Sequence, residues 1–152
     1  MATFTKVNDF VLNLCEVIDL DGDQLELAFS NTAPASETSN PTADTNGVLA
    51  NVTQIAYTNW TDDLTVDRNL TSGSVTTTQT GGTFTLDYTA DIVITASGGA
   101  IANWQYIYLW DDNPTSPADP LINVWNHGSA IALGNGDSAT LQFNASGIFT
   151  LA

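Results

Sequence analysis

The chain has 152 residues, of which 43% are hydrophobic, and 17 acidic residues against two basic ones give it a net charge of −15. Nucleic-acid binding needs clustered lysine and arginine to neutralise phosphates, so the composition argues against a nucleic-acid partner. An anionic membrane surface would repel the chain, and no apolar run is long enough to span a bilayer. The length predicts a single domain over residues 1–152.

The N-terminal part carries the clearest helical pattern. Apolar residues at steps of three and four predict a helix over 4–18, within an N-terminal helix or arm at 1–20. Cys15 falls on the apolar stripe, which predicts a buried thiol. It is the single cysteine, so no internal disulfide is possible, and synthesis in a reducing cytoplasm is expected. The segment before it lacks a signal-peptide pattern.

After the helix the hydrophobic period changes to two. Residues 25–29 alternate as a half-buried strand, and 31–47 form a long polar loop, too long for a compact domain unless it is mobile or orders against a partner. In 48–56 the apolar residues have helix-like spacing, but the run is short and β-branched, so the sequence does not decide between a helix and a strand.

Short strands follow in quick succession from Leu64 onward. They are predicted at 64–70, 73–79, 83–89, 92–94, 104–110, 121–126, 129–133, 138–143 and 148–151. Gly81-Gly82 predicts a hairpin turn. About eight or nine short antiparallel strands with one N-terminal α-helix predict a mostly β fold, either a β-sandwich (jelly-roll-like) or a barrel.

The strand at 104–110 is the most aromatic. Trp104, Tyr106, Tyr108 and Trp110 share one face, and aliphatic residues occupy the other. A strand that is apolar on both faces is typical of the sheet centre, so we interpret these rings as core. Stacked aromatic rings can also bind sugars, which keeps a carbohydrate-binding surface open.

Catalytic and metal-binding patterns are weak. Asp19, Asp21 and Asp23 resemble a calcium loop, but the glycine is fourth and the twelfth residue is Ser30, so we favour a solvated turn that ends the helix. The adjacent pairs Asp62-Asp63 and Asp111-Asp112 lie beside predicted turns, and adjacent strand residues point to opposite faces. His127 is the single histidine and lies in no recognisable nucleophile motif. We predict no enzyme activity, no cofactor and no bound metal.

Several segments resemble, in the same order, a family of small tailed-phage virion proteins. They are Phe-x-Lys-x-Asn-x-Phe-Val at 4–11, Asn-Thr-Ala-Pro at 31–34, Val-Leu-Ala-x-Val-Thr-x-Ile-Ala at 48–56, Asp-Pro-Leu-Ile at 119–122, and Gly-Ser-x-Ile-x-Leu-x-x-Gly at 128–136. The resemblance implies a structural head-decoration (cement) protein on the capsid exterior.

The resemblance and the acidic charge together predict two protein partners. These are the major capsid protein and further copies of the chain, in a symmetric homo-oligomer for which a trimer is one candidate. The alternative function is a glycan- or receptor-binding β-sandwich on a tail tip or fibre. The candidate contact residues are Phe4, Asn31, Pro34, Trp60, Trp104 and Trp110.

Overall fold

Antiparallel strands dominate the structure, a computed structural model that describes residues 2–64, 68–70 and 74–152. The chain is 42% strand and 10% helix, in a β-sandwich-like arrangement that confirms the predicted fold class. The strands in the described residues are β1 (Thr3–Lys6), β2 (Leu25–Ser30), β3 (Trp60–Asp62), β4 (Val75–Thr80), β5 (Thr83–Tyr88), β6 (Ile92–Ala96), β7 (Trp104–Asp111), β8 (Leu121–Ile131), β9 (Ser138–Leu141) and β10 (Phe149–Leu151). A short helix, α1, spans Phe10–Glu16.

The largest sheet has four strands in the order β1-β8-β7-β2. The interior position of β7 agrees with the prediction that the aromatic strand is central. Leu109 lies opposite Leu27 of β2, and both are fully buried. All six residues of β2 are buried, so the expectation of a half-buried strand was wrong. The reason is that β2 is covered on both faces, and its small Ala28 and Ser30 pack as core residues.

Two three-stranded sheets complete the fold, in the orders β10-β5-β4 and β3-β6-β9. The predicted hairpin joins β4 to β5 with Thr80 directly opposite Thr83. Gly81 and Gly82 form its two-residue turn with φ angles of 60° and 88°. Glycine suits both positions because positive φ angles strain other residues.

The N-terminal region differs from the predicted helix over 4–18. Residues 3–6 form β1 instead, because Phe4 and Thr5 pair with Trp125 and Val124 of β8. The helix is therefore only seven residues long. The buried position predicted for Cys15 was also wrong: its side chain is exposed. Apolar residues at steps of three and four over so short a segment do not show which side chains of the helix are buried. The pairing of β1 with β8 determines how the helix lies on the sheet.

Residues predicted as two strands, 121–126 and 129–133, form the single strand β8, which ends at Ile131. Gly128, with φ of 92°, lies within this strand. Residues 127–130 are exposed, whereas 121–124 are buried. The break that the sequence indicated at Gly128 is therefore a local irregularity in one long strand.

The polar loop at 31–47 lies on its own domain. The Asp9 carboxylate accepts the backbone N–H groups of Thr45 and Gly47, both at 2.9 Å. The Glu37 carboxylate accepts the N–H of Thr53 at 2.8 Å. A single 3₁₀ turn, Pro34–Ser36, is the loop's only regular element. Hydrogen bonds to two carboxylates thus replace the regular structure that the sequence lacks.

One segment, 48–56, was left open by the sequence, and a second, 64–70, was predicted as a strand. Residues 48–56 contain a 3₁₀ turn, Leu49–Asn51, and are otherwise irregular. Of the strand predicted at 64–70, residues 65–67 lie outside the described residues; in the described part, Asn69 forms only an isolated bridge with Glu26 of β2. No helix in the described part of the chain has the length and hydrophobicity that a membrane crossing requires.

Candidate partner-binding groove

The structure places two of the candidate contact residues in the core. Trp104 is fully buried, and Trp110 is 7% exposed. The ring of Trp104 packs edge-on against Phe29 of β2, with 5.1 Å between centroids. These rings are therefore core residues. Trp104 also borders one of the cavities described below, but it exposes no ring face on which a sugar could stack.

Three other candidates lie at the periphery of the domain. Trp60 is half-buried in β3 and packs on Phe29 with a centroid distance of 4.7 Å. Asn31 is exposed, and Pro34 is half-buried at the start of its 3₁₀ turn. The structure does not bring Asn31 and Pro34 together with Phe4, the remaining candidate, in either of the two cavities that Phe4 lines.

Phe4 belongs to a surface cluster of aromatic rings. Its side chain is 40% exposed on β1. The Phe4 ring meets Trp125 of β8 edge-to-face at a centroid distance of 6.1 Å, and Trp125 meets Phe143 at 5.6 Å. Tyr88 supports Phe143 from the core side at 5.5 Å. Edge-to-face pairing fixes the orientation of these rings.

Two adjoining cavities flank Trp125, with volumes of about 200 and 430 Å³. We call this surface the aromatic groove and define it by the residues Phe4, Trp125, His127, Thr140, Gln142 and Phe143. Trp125, Gln142 and Phe143 border both cavities. The groove forms where β1 and β8 meet β9 and the segment that follows it.

None of the described residues that border the aromatic groove is acidic, although the chain has 17 acidic residues. The nearest acidic group in hydrogen-bond contact is Asp91, which accepts the Gln142 side-chain N–H at 2.9 Å. In the sequence, residues 2–8 contain no acid, and 120–152 contain only Asp137. The groove is thus an uncharged, largely apolar area of a strongly anionic surface. An acidic protein partner would meet the least charge repulsion there.

Helix α1 adds further exposed apolar side chains near the N-terminus. Val11 is 48% exposed and Leu12 is 58% exposed, and Cys15 is exposed beside them on the same helix. Val11, Leu12 and Phe4 make up three of the four large hydrophobic side chains that are exposed among the described residues. The N-terminal region therefore concentrates the apolar surface of the domain.

A buried carboxyl group lies at the end of β7 opposite to Trp104. Asp111 ends β7 and is fully buried; one of its oxygens accepts the Asn113 N–H at 3.0 Å. Burial raises the pKa of Asp111 to about 7, and the neighbouring carboxylates of Asp23 and Asp112 act in the same direction. The described residues contain no cluster of three or more side chains suited to a metal ion.

The other polar features flagged in the sequence are explained by local structure. Asp19 accepts the N–H groups of Asp21 and Gly22, at 3.1 and 3.2 Å, and closes the turn predicted after the helix. His127 Nδ1 lies 2.9 Å from the carbonyl oxygen of Ser129, in the exposed part of β8. Both arrangements are typical of turns.

Trp125 and Phe143 are the groove residues that the sequence reasoning missed. Trp125 was predicted in a strand, but nothing local marks it as more exposed than Trp104 or Trp110. The sequence does contain one feature that indicates this surface: acidic residues are nearly absent from residue 120 onward. The chain matches no family model, no curated protein and no solved structure.

Proposed function

We propose that the protein is a structural component of a tailed-phage particle, a head-decoration protein that binds the major capsid protein through the aromatic groove. The observation that carries the proposal is the groove itself: aromatic rings are clustered there, with no acid among the described residues that border it, on a chain of net charge −15. The order of the five sequence segments supports the same function.

A groove of this kind suits adhesion. Tryptophan and other aromatic rings are the side chains that contribute most at protein interfaces, often about 2 kcal/mol or more each. The anionic surface around the groove keeps the free protein soluble and suits a partner that carries basic groups at its rim. A protein that binds only the assembled lattice stabilises that lattice by mass action.

A mutation pair tests the groove. Thr140→Glu places a carboxylate in the groove on the exposed side of β9. Thr78→Glu makes the same chemical change at an exposed position of β4, remote in the sheet order. We expect Thr140→Glu to weaken binding to purified capsids that lack the protein by about tenfold or more, since a buried unpaired charge at an interface costs over 1.4 kcal/mol.

Thr78→Glu should bind like the wild type. Equal binding by both variants would exclude the groove as the contact surface. Imaging of the virion then decides the position of the protein. Density over the capsid surface supports head decoration, whereas density at the tail alone would refute it.

The second candidate function is glycan or receptor binding at a tail tip. One observation favours it: the half-exposed ring of Trp125 lies between polar side chains, His127 and Gln142, at cavities whose size suits a small ligand. Two results together would favour this function over head decoration. The protein would have to appear only at the tail in images of the virion, and phage that carry Thr140→Glu would have to lose adsorption to the host cell.

A further inference from the structure

Among the described residues, no strand pairs with the outer edge of β1. All four residues of β1 are exposed, and β1 is the last strand of its sheet. The opposite edge of the same sheet is covered: Leu25 and Phe29 of β2 accept the N–H groups of Leu70 and Ile55, at 2.8 and 2.9 Å. An open edge presents free N–H and C=O groups to any extended strand.

The register shows which backbone groups are free. Val7 donates its N–H to the Ile122 carbonyl at 3.2 Å, in line with the pairing of Lys6 opposite Asn123. Alternate residues of an antiparallel strand bond to the same neighbour, so Thr5 bonds to β8. The backbone groups of Phe4 and Lys6 therefore point away from the sheet.

The open edge is short. From Asn8 onward the edge is covered by the loop at 31–47, because the Asn8 N–H donates to the Thr42 carbonyl at 3.3 Å. The side chains of Phe4 and Lys6 also border a small cavity of about 70 Å³ against β10. A partner strand can thus add about four residues to β1 before it meets the loop.

Charge favours a second copy of the chain as the occupant. Two molecules of net charge −15 repel each other, and they approach most easily where both lack acids. Residues 2–8 meet this condition and carry the chain's single lysine, Lys6. A lysine on an edge strand usually discourages self-pairing, so the register must keep two lysines apart.

We propose that two copies of the chain pair antiparallel through β1, with Thr5 on the twofold axis. In this register Phe4 of one copy lies opposite Lys6 of the other, twice, and four backbone hydrogen bonds form. Each ammonium group then faces an aromatic ring instead of another ammonium group. The two four-stranded sheets become one continuous sheet, and the contact closes on itself. This inference is independent of where the protein acts.

A proline at Lys6 tests the edge itself. Lys6→Pro removes an N–H that points away from β8 and leaves the bonds within the sheet intact, and proline is tolerated on such edges. Lys6→Ala removes the same charge but retains the N–H. In sedimentation equilibrium we expect a dimer for the wild type and Lys6→Ala, and a monomer of 16.1 kDa for Lys6→Pro. A monomeric wild type at every concentration, or a dimeric Lys6→Pro, would overturn the proposal.

Crosslinking tests the register and does not depend on the proline variant folding. In a Cys15→Ser background, Thr5→Cys places two thiols opposite each other at a non-hydrogen-bonded pair, where a Cα separation of about 4.5 Å permits a disulfide. Thr3→Cys faces residue 7 of the other copy and should not crosslink. Disulfide dimers in Thr5→Cys alone support this register. Equal crosslinking of the two variants, or none in either, counts against it.

Discussion

The buried carboxyl of Asp111 should make the protein less stable as the pH rises. Its pKa is raised from 3.8 to about 7 by burial and by the carboxylates beside it, so the folded state holds the proton more tightly than the unfolded state. The stability that this proton contributes is fully present below pH 4. It is lost as the pH rises toward 7, because the unfolded chain releases its proton first.

The magnitude follows from the shift. Each pKa unit corresponds to about 1.4 kcal/mol, so a shift of about three units sets an upper limit near 4 kcal/mol. We expect about 2 kcal/mol, since part of the shift belongs to Asp111 together with its neighbouring carboxylate and not to Asp111 alone. Asp111→Asn keeps an oxygen for the Asn113 N–H and has no proton to lose. The variant should therefore exceed the wild type in stability at pH 8 by about 2 kcal/mol.

Urea unfolding followed by tryptophan fluorescence at pH 5 and pH 8 measures the effect. The overall negative charge also lowers stability at high pH, and Asp44→Asn controls for it, because Asp44 is exposed and is not one of the carboxylates that raise the pKa of Asp111. The reasoning fails if Asp111→Asn loses as much stability between the two pH values as Asp44→Asn does.

Three further changes have defined outcomes. Leu109→Asp should abolish soluble expression, because an unpaired carboxylate in the fully buried centre of β7 costs several kcal/mol against a total stability of about 5–15; a normal melting curve would contradict this. Millimolar calcium should leave the melting temperature unchanged, and a rise that Asp21→Ala abolishes would reveal a calcium site. Gly147→Ala should cost about 1–3 kcal/mol more than Gly136→Ala in thermal unfolding. Both glycines have φ above 90°, but only at Gly147 would a Cβ meet a backbone oxygen, that of Leu86, at 2.8 Å; equal losses would refute this.

The sequence predicted correctly those elements whose conformation is determined by neighbouring residues in the chain. Strand β7, apolar on both faces, and the Gly81-Gly82 turn both carry their signal within a few residues. The region of β1 could not be predicted in this way. The apolar stripe that starts at Val7 led to the prediction of a helix from residue 4, but the pairing of residues 3–6 with β8, more than 110 residues away, makes this segment a strand.

The aromatic groove was predicted only in part. Phe4 was a candidate, whereas Trp125 and Phe143 were not, because a surface ring and a core ring look alike in the sequence. Their exposure depends on how β8 and the segment after β9 meet, which is a long-range arrangement. The interpretation of the aromatic face of β7 as core is confirmed by the burial of Trp104 and Tyr108.

The hairpin turn at Gly81 and Gly82 has a practical consequence. Both residues are exposed, and a Cβ added at either position would meet no atom within 4 Å. The turn joins β4, the outermost strand of its sheet, to β5, and it takes no part in the aromatic groove. Exposed hairpin tips tolerate inserted sequence well. A foreign peptide placed between these two glycines would stand clear of the domain, so the protein can serve as a carrier for displayed epitopes.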